Sequence, residues 1–260
     1  MSGENREQLA EGSLISHLME LRDRLLRAVI SILVMFVPCA YFQDELYTLV
    51  AMPLLDKLPQ GAQMIATNPV SPFMVPLKLA FMASIFLAMP YILYQAWAFV
   101  APGLYRHEKR FAIPLAVSSI VLFYAGIAFA YFVVYPLMFG FLATSGPAGV
   151  SFTPEIAEYL NFVLLLFLAF GIAFEVPVAT VLLATTGLVK IDTMVKNRGY
   201  VILGIFIVAA FLTPADAISQ SMMAVPMWLL YEIGIVMSRI MLRDRLARQS
   251  EEEKHAADNG

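Results

Sequence analysis

Val100-Ala-Pro-Gly-Leu-Tyr-Arg-His-Glu-Lys-Arg110 separates two long apolar runs, Leu79 to Val100 and Phe111 to Leu142. A hydrocarbon core about 30 Å thick needs about 20 predominantly apolar helical residues to cross it. Two such runs joined by the charged turn Arg106 to Arg110 therefore read as a chain that crosses a bilayer, turns in water and crosses back. Four further segments repeat the pattern: Leu25 to Phe42, Tyr159 to Thr186, Tyr200 to Thr213 and Ser219 to Met241. The expectation is an all-α, polytopic membrane protein of six spans. The fifth span, at 14 residues, covers only about 21 Å of helix, so it must thin the bilayer locally or draw on its flanks.

Composition excludes the alternatives to a membrane chain. The 260 residues are 60% hydrophobic and 14% charged, with a mean hydropathy of +0.75, far from the balance of a soluble domain. One cysteine, Cys39, allows no internal disulfide and no cysteine-based metal site. His17, His107 and His255 have no metal-ligand spacing, and no phosphate-binding glycine loop or nucleophile elbow occurs. No metal or other cofactor is assigned, and neither is an enzymatic activity.

Alternating six spans collects 15 of the 17 Lys and Arg residues on one side, in the two tails with the adjoining span ends that carry Arg27 and Arg239, and in the loops 101–110 and 187–199. The positive-inside rule then places both termini in the cytoplasm. Residues 1–24 read as a cytoplasmic tail whose Leu14, Leu18, Leu21 and Leu25 stripe lies along the membrane surface before the chain turns inward. Residues 25–241 form the membrane domain, including an outward loop at 43–78 that carries Pro53, Pro59, Pro69, Pro72 and Pro76. Those prolines oppose long regular helix and suit a cap of turns, with a short interfacial helix ending at Pro53. Residues 242–260, charged and poor in large apolar side chains, read as disordered.

Five carboxylates stand out. Glu20 precedes Arg24 by four positions, the acid-first spacing of an exposed pair contributing about 0.2–0.5 kcal/mol. Glu108 sits among Arg106, Lys109 and Arg110, as mixed charges in a cytosolic loop often do. Topology adds that Glu20 and Glu108 share one membrane face, where two carboxylates can accept two guanidinium groups through forked, charge-assisted hydrogen bonds. Glu175 lies well inside the fourth span, where an ionised side chain costs at least about 2.5–3.5 kcal/mol. It reads either as a structural group bonded to a neighbouring helix or as part of a proton relay or substrate-facing cavity, beside the helix weakness at Pro177. Glu232, seven residues before Arg239, reaches toward the interface or pairs with another helix. Asp216, in Thr213-Pro-Ala-Asp216, is placed to cap the sixth span.

In sequence order, HLMELRDRLL, PLLDKLP, MIATNPVSPFMVPLKL, YQAWAFVAPGLYRHEKR, FYAGIAFAYFVVYPLMFGF, FGIAFEVPVA and FLTPADAISQ resemble the TatC family, the multi-span subunits of twin-arginine protein translocases, over roughly residues 13–240. The resemblance implies a curved, glove-shaped bundle in a bacterial inner membrane. It implies a subunit that is no enzyme and that binds twin-arginine signal peptides of folded cargo. Export would then be driven by the proton-motive force, with the single-span partners TatB and TatA and further copies of itself. It assigns the signal-peptide site to Glu20, Glu108, Phe99 and Pro102. Glu175 falls on the concave membrane face, Asp216 in the outward turn, and Thr213 and Gln220 in the partner-docking patch; no nucleic acid is implied. A proton- or ion-coupled solute transporter is the competing class, for which Glu175 and proline-broken helices are equally natural. The lack of a repeat relating the two halves weighs mildly against it.

Overall fold

A computed structural model describes residues 3–55, 64–100, 109–144, 153–213 and 216–258. Among these residues the regular structure is helical. The elements are α1 (Gly3–Tyr41), α2 (Gln43–Leu55), α3 (Ser71–Val100), α4 (Lys109–Phe129), a π-helical turn (Ala130–Val134), α5 (Tyr135–Thr144), α6 (Ile156–Ala173), α7 (Val176–Thr185), α8 (Ile191–Lys196), α9 (Arg198–Leu212) and α10 (Ala217–Asp258). Among the described residues, five stretches are long and apolar enough to cross a membrane: Ser16–Tyr41, Ser71–Val100, Ile113–Phe141, Ile156–Thr185 and Ala217–Arg243. The protein is thus a multi-pass membrane protein. The expected fifth span is α9, whose 15 residues reach about 22 Å. Large apolar side chains stand exposed along α1, among them Leu25, Ile30 and Val34, as suits helices whose outer face is solvated by lipid tails.

Several boundaries differ from the sequence expectation for local reasons. The N-terminal stripe does not turn; α1 runs as one helix from Gly3 into the span, because between Ser13 and Val37 no Gly or Pro interrupts it. Likewise α3 begins at Ser71 rather than Leu79. Pro72 falls in its first turn, where no backbone N–H is needed, and Pro76 removes only one bond near that end. The α2 helix continues past Pro53 to Leu55. The third span contains the π-helical turn, and the fourth breaks at Phe174-Glu175 into α6 and α7. Helix α10 continues to Asp258 through the segment expected to be disordered. That segment lacks Gly and Pro before Gly260 and is rich in Leu, Arg, Ala, Gln, Glu and Lys, all strong helix formers.

The chain divides into two compact units, residues 1–51 with 70–116, and residues 52–69 with 117–260. In the first, α1 packs antiparallel on α3. Phe36 meets Phe81 edge-on at 6.1 Å, and the buried Ala28, Cys39, Ala80, Ser84 and Ala88 let the backbones approach.

In the second unit glycines set the helix spacing. A Cβ at Gly126 of α4 would lie 2.5 Å from the carbonyl oxygen of Phe170 in α6. One at Gly234 of α10 would overlap the Thr180 hydroxyl and sit 2.9 Å from Pro177 Cα in α7. Ala184, Met194, Tyr231 and Ile235 form a core where α7, α8 and α10 meet, and the Tyr231 hydroxyl donates to the Met194 carbonyl at 2.9 Å. Beside the π-helical turn, the Tyr135 and Tyr159 hydroxyls are 2.8 Å apart and buried. The end of the proline-rich segment is pinned to the start of α6. Ile65 N–H donates to Pro154 O and Ile156 N–H to Ile65 O, and the Thr67 hydroxyl donates to Glu155 Oε1 at 2.6 Å.

Candidate functional site

Glu20 and Phe99 are brought together at one end of the α1–α3 pair. The uninterrupted helix α1 puts His17, Glu20 and Arg24 on one face, since positions three and four apart overlie each other. That face meets the last turns of α3. His17 stacks on Phe99, with ring centroids 4.2 Å apart and planes 17° from parallel. Its Nδ1 lies 3.9 Å from Glu20 Oε2. Arg24 donates to Glu20 Oε1 from Nε at 2.9 Å and from Nη2 at 2.6 Å, while its Nη1 donates to Gln95 Oε1 at 3.2 Å.

Burial separates this group from an ordinary surface pair. Gln95 is 5% exposed, and the Arg24 and Glu20 side chains are 21% and 37% exposed. Half out of water, the charges are less screened than on an open helix face. Sequence reasoning read Glu20–Arg24 as an exposed pair and did not single out Gln95. The available signal was an amide inside the apolar run Tyr94-Gln-Ala-Trp97, one turn before Phe99, where a lone polar group needs a partner. Glu108 and Pro102 lie outside the described residues.

Glu175 occupies the break between α6 and α7, where Pro177 at the second position of α7 cannot continue the hydrogen-bond ladder. The Ser119 side chain on α4 donates to the Glu175 carboxyl. Glu175 Oε1 is buried and makes no hydrogen bond. Both readings of Glu175 start from this geometry: a bond to a neighbouring helix, and one acceptor left over.

At the far end of α9, the Thr213 side chain is buried and its hydroxyl donates to Ala209 O at 2.9 Å. Asp216 Oδ1 accepts from Ser219 N–H at 2.7 Å, the bond of an N-cap on the first turn of α10. Gln220 Nε2 donates to Phe206 O at 2.9 Å, tying α10 to α9. Asp216→Ala is expected to destabilise this helix start by about 1 kcal/mol, visible as faster hydrogen exchange at the Ser219 amide. Toward the other end of the hairpin, Glu232 pairs with a second helix, as one sequence reading allowed. Arg198 Nη2 of α9 donates to its Oε2 at 2.6 Å.

The family described as Sec-independent protein translocase protein (TatC) matches residues 16–226. The Sec-independent protein translocase protein TatC of Azotobacter chroococcum mcd 1 is 53% identical over 247 residues, covering 95% of this chain and 94% of that protein. That of Escherichia coli strain K12 is 54% identical over 226 residues, covering 87% and 88%. A crystal structure titled twin arginine translocase receptor TatC superposes with a TM-score of 0.79 at 37% identity, over 86% of this chain and 98% of that one.

Proposed function

The chain belongs to the TatC family of Sec-independent protein translocase proteins, and from that membership we propose that it is the subunit that receives twin-arginine signal peptides of folded cargo. The site is its cytoplasmic face in a bacterial inner membrane. The observation that carries this reading is the Glu20 carboxylate. It is held half-buried on α1 beside the His17–Phe99 stack, and among the described residues its Oε2 has no partner nearer than His17 at 3.9 Å.

A fixed carboxylate with an open oxygen suits a planar guanidinium, which offers two parallel N–H donors; an ammonium is a compact point charge and cannot reproduce the fork. Glu108 supplies the second acceptor, so that two adjacent arginines engage two carboxylates. Phe99 and Pro102 belong to the same peptide-binding site, as the family resemblance implies. The single-span partners TatB and TatA dock along α9 and α10 near Thr213 and Gln220, where Phe211 is 85% exposed and offers apolar surface to another helix. The protein acts with further copies of itself, and the proton-motive force drives export. The short α9 thins the bilayer beside the path.

The test is photocrosslinking from position 108 in native membranes. A twin-arginine precursor is expected to crosslink, and a twin-lysine precursor to crosslink about tenfold less, the effect of roughly one charge-assisted hydrogen bond. Equal yields from the two precursors would overturn the assignment.

A further inference from the structure

We propose that the second unit carries a binding site for one anionic phospholipid: an acyl chain lies in the groove between α6 and α9, and the headgroup phosphate meets Arg198 at the start of α9. The site uses no residue of the Glu20 group, so it stands or falls apart from the signal-peptide reading.

The groove has a volume of about 550 Å³ and is lined by apolar residues of α6, α7, α9 and α10. The Tyr231 hydroxyl, the only one in the lining, is taken up by the Met194 carbonyl. Such a surface gives water nothing to bond, so within a bilayer it fills with hydrocarbon. Ile172 on one wall and Val208 on the other are exposed, so the groove is open along its side. From Val201 to Leu212 it follows α9 for about 16 Å. A helix about 10 Å across fills roughly 1,250 Å³ over that length, more than twice the space, whereas a single extended chain fits. Gly204 provides the width: a Cβ there would meet nothing within 4 Å.

Hydrocarbon contact alone would be ordinary solvation by lipid, and Arg198 is what makes the groove a site. Positions 198, 201, 205, 208 and 212 overlie one another on a helix, so the guanidinium heads the same stripe of α9 that lines the groove. Its side chain is 41% exposed and within reach of a headgroup. Nη2 donates to Glu232 Oε2 at 2.6 Å, while Nε is buried and has no acceptor among the described residues. A guanidinium carries five N–H donors, and one bond to one carboxylate oxygen leaves this one short of acceptors. A phosphate supplies them, in the forked geometry that arginine forms with phosphate oxygens. Lys196, two residues before Arg198, and Arg239, two turns beyond Glu232 on α10, are both exposed. They keep this end of the groove positive against Asp192 and Glu232. Tyr200, also exposed, is an amphipathic ring of the kind that sits at headgroup level.

The test offers the purified full-length protein equal amounts of phosphatidylglycerol and phosphatidylcholine with the same acyl chains, and reads the bound lipid by native mass spectrometry. The parent is expected to retain the anionic lipid about tenfold over the zwitterionic one, the effect of one charge-assisted hydrogen bond. Arg198→Gln is expected to bring the two lipids within about twofold of each other. Gly204→Phe puts a ring into the open space and is expected to lower retention of phosphatidylglycerol about tenfold; it serves as the readout if Arg198→Gln, which strands Glu232, fails to accumulate. Phosphatidylglycerol with a photoactivatable acyl chain should label α6 and α9 of the parent and spare them in Gly204→Phe. Equal retention of the two lipids by the parent, a preference untouched by Arg198→Gln, or labelling that avoids α6 and α9 overturns the proposal. If Gly204→Phe keeps the lipid and instead loses co-isolation with a single-span partner, the groove receives a helix and the proposal fails as well.

Discussion

Replacing Glu20 and Glu108 together with glutamine is expected to lower capture of a twin-arginine precursor by about a hundredfold or more. Removing one partner of a desolvated charge pair costs about 2–5 kcal/mol. The Glu20 side chain is 37% exposed, so solvent screening puts its share below that range, at about 1–2 kcal/mol. Two such losses sum to about 3 kcal/mol, which corresponds to roughly a hundredfold in affinity. Glutamine keeps the shape and one acceptor oxygen, so the variant tests charge rather than volume. Crosslinking or co-isolation yields across a series of precursor concentrations give the number, and a double variant that captures precursor at parental levels would sink the site. The single variants should each lose less, because one carboxylate still engages one arginine.

Gly126→Val is expected to destabilise the protein by about 3 kcal/mol or more, at the upper end of what forcing extra carbons into a packed site costs. The reason is what the new side chain would meet. The first added carbon would sit 2.5 Å from the Phe170 carbonyl oxygen, 2.9 Å from its carbon and 3.0 Å from Phe174 Cβ. Two of these are backbone atoms of α6, which cannot rotate away as a side-chain tip can, so the helices must separate. Gly126→Ala already makes all three of these contacts and, lacking the two γ-carbons, should lie between the parent and Gly126→Val. Gly140→Ala is the control, because nothing lies within 4 Å of its Cβ position; there the loss of chain flexibility in the unfolded state should leave stability unchanged or raised by up to about 1 kcal/mol. Thermal unfolding of the three variants in detergent reads the order directly. Equal midpoints for Gly126→Val and Gly140→Ala would show that α4 and α6 do not approach as described.

The spans were legible because lipid admits so few solutions. In hydrocarbon every backbone N–H and C=O must bond within its own segment, so a long apolar run has little choice but helix, and hydropathy alone locates it. Element ends were less legible. Composition pointed to disorder after Arg243, yet the backbone continues as helix to Asp258. Low hydrophobicity argues only that a segment has no core to join, whereas Leu, Arg, Glu and Lys keep their helix propensity. Proline was over-read in the outward loop for a related reason. A proline forbids helix only where its missing N–H is needed, and Pro72 stands in a first turn where it is not.

The candidate site divides in the same way. Glu20 and Glu175 were visible as residue types in place, a carboxylate four before an arginine and an acid at membrane depth, whereas Phe99 entered through the family resemblance. Spacing within one helix is a property of the chain, because 3.6 residues per turn fixes which side chains overlie. For that reason the chain by itself determined an all-helical, multi-pass membrane protein and the Glu20–Arg24 spacing. It could not show that Gln95, 71 positions from Arg24, completes that pair, that His17 lies flat on Phe99, or that the fourth span opens at Glu175 with one carboxyl oxygen unpartnered. Those depend on the depth and rotation at which one helix meets another, set by small residues at Ala28, Ala80, Gly126 and Gly234 and by the shapes opposite them. Tertiary packing decided them, since contact between distant segments is fixed by complementary surfaces and by no local propensity.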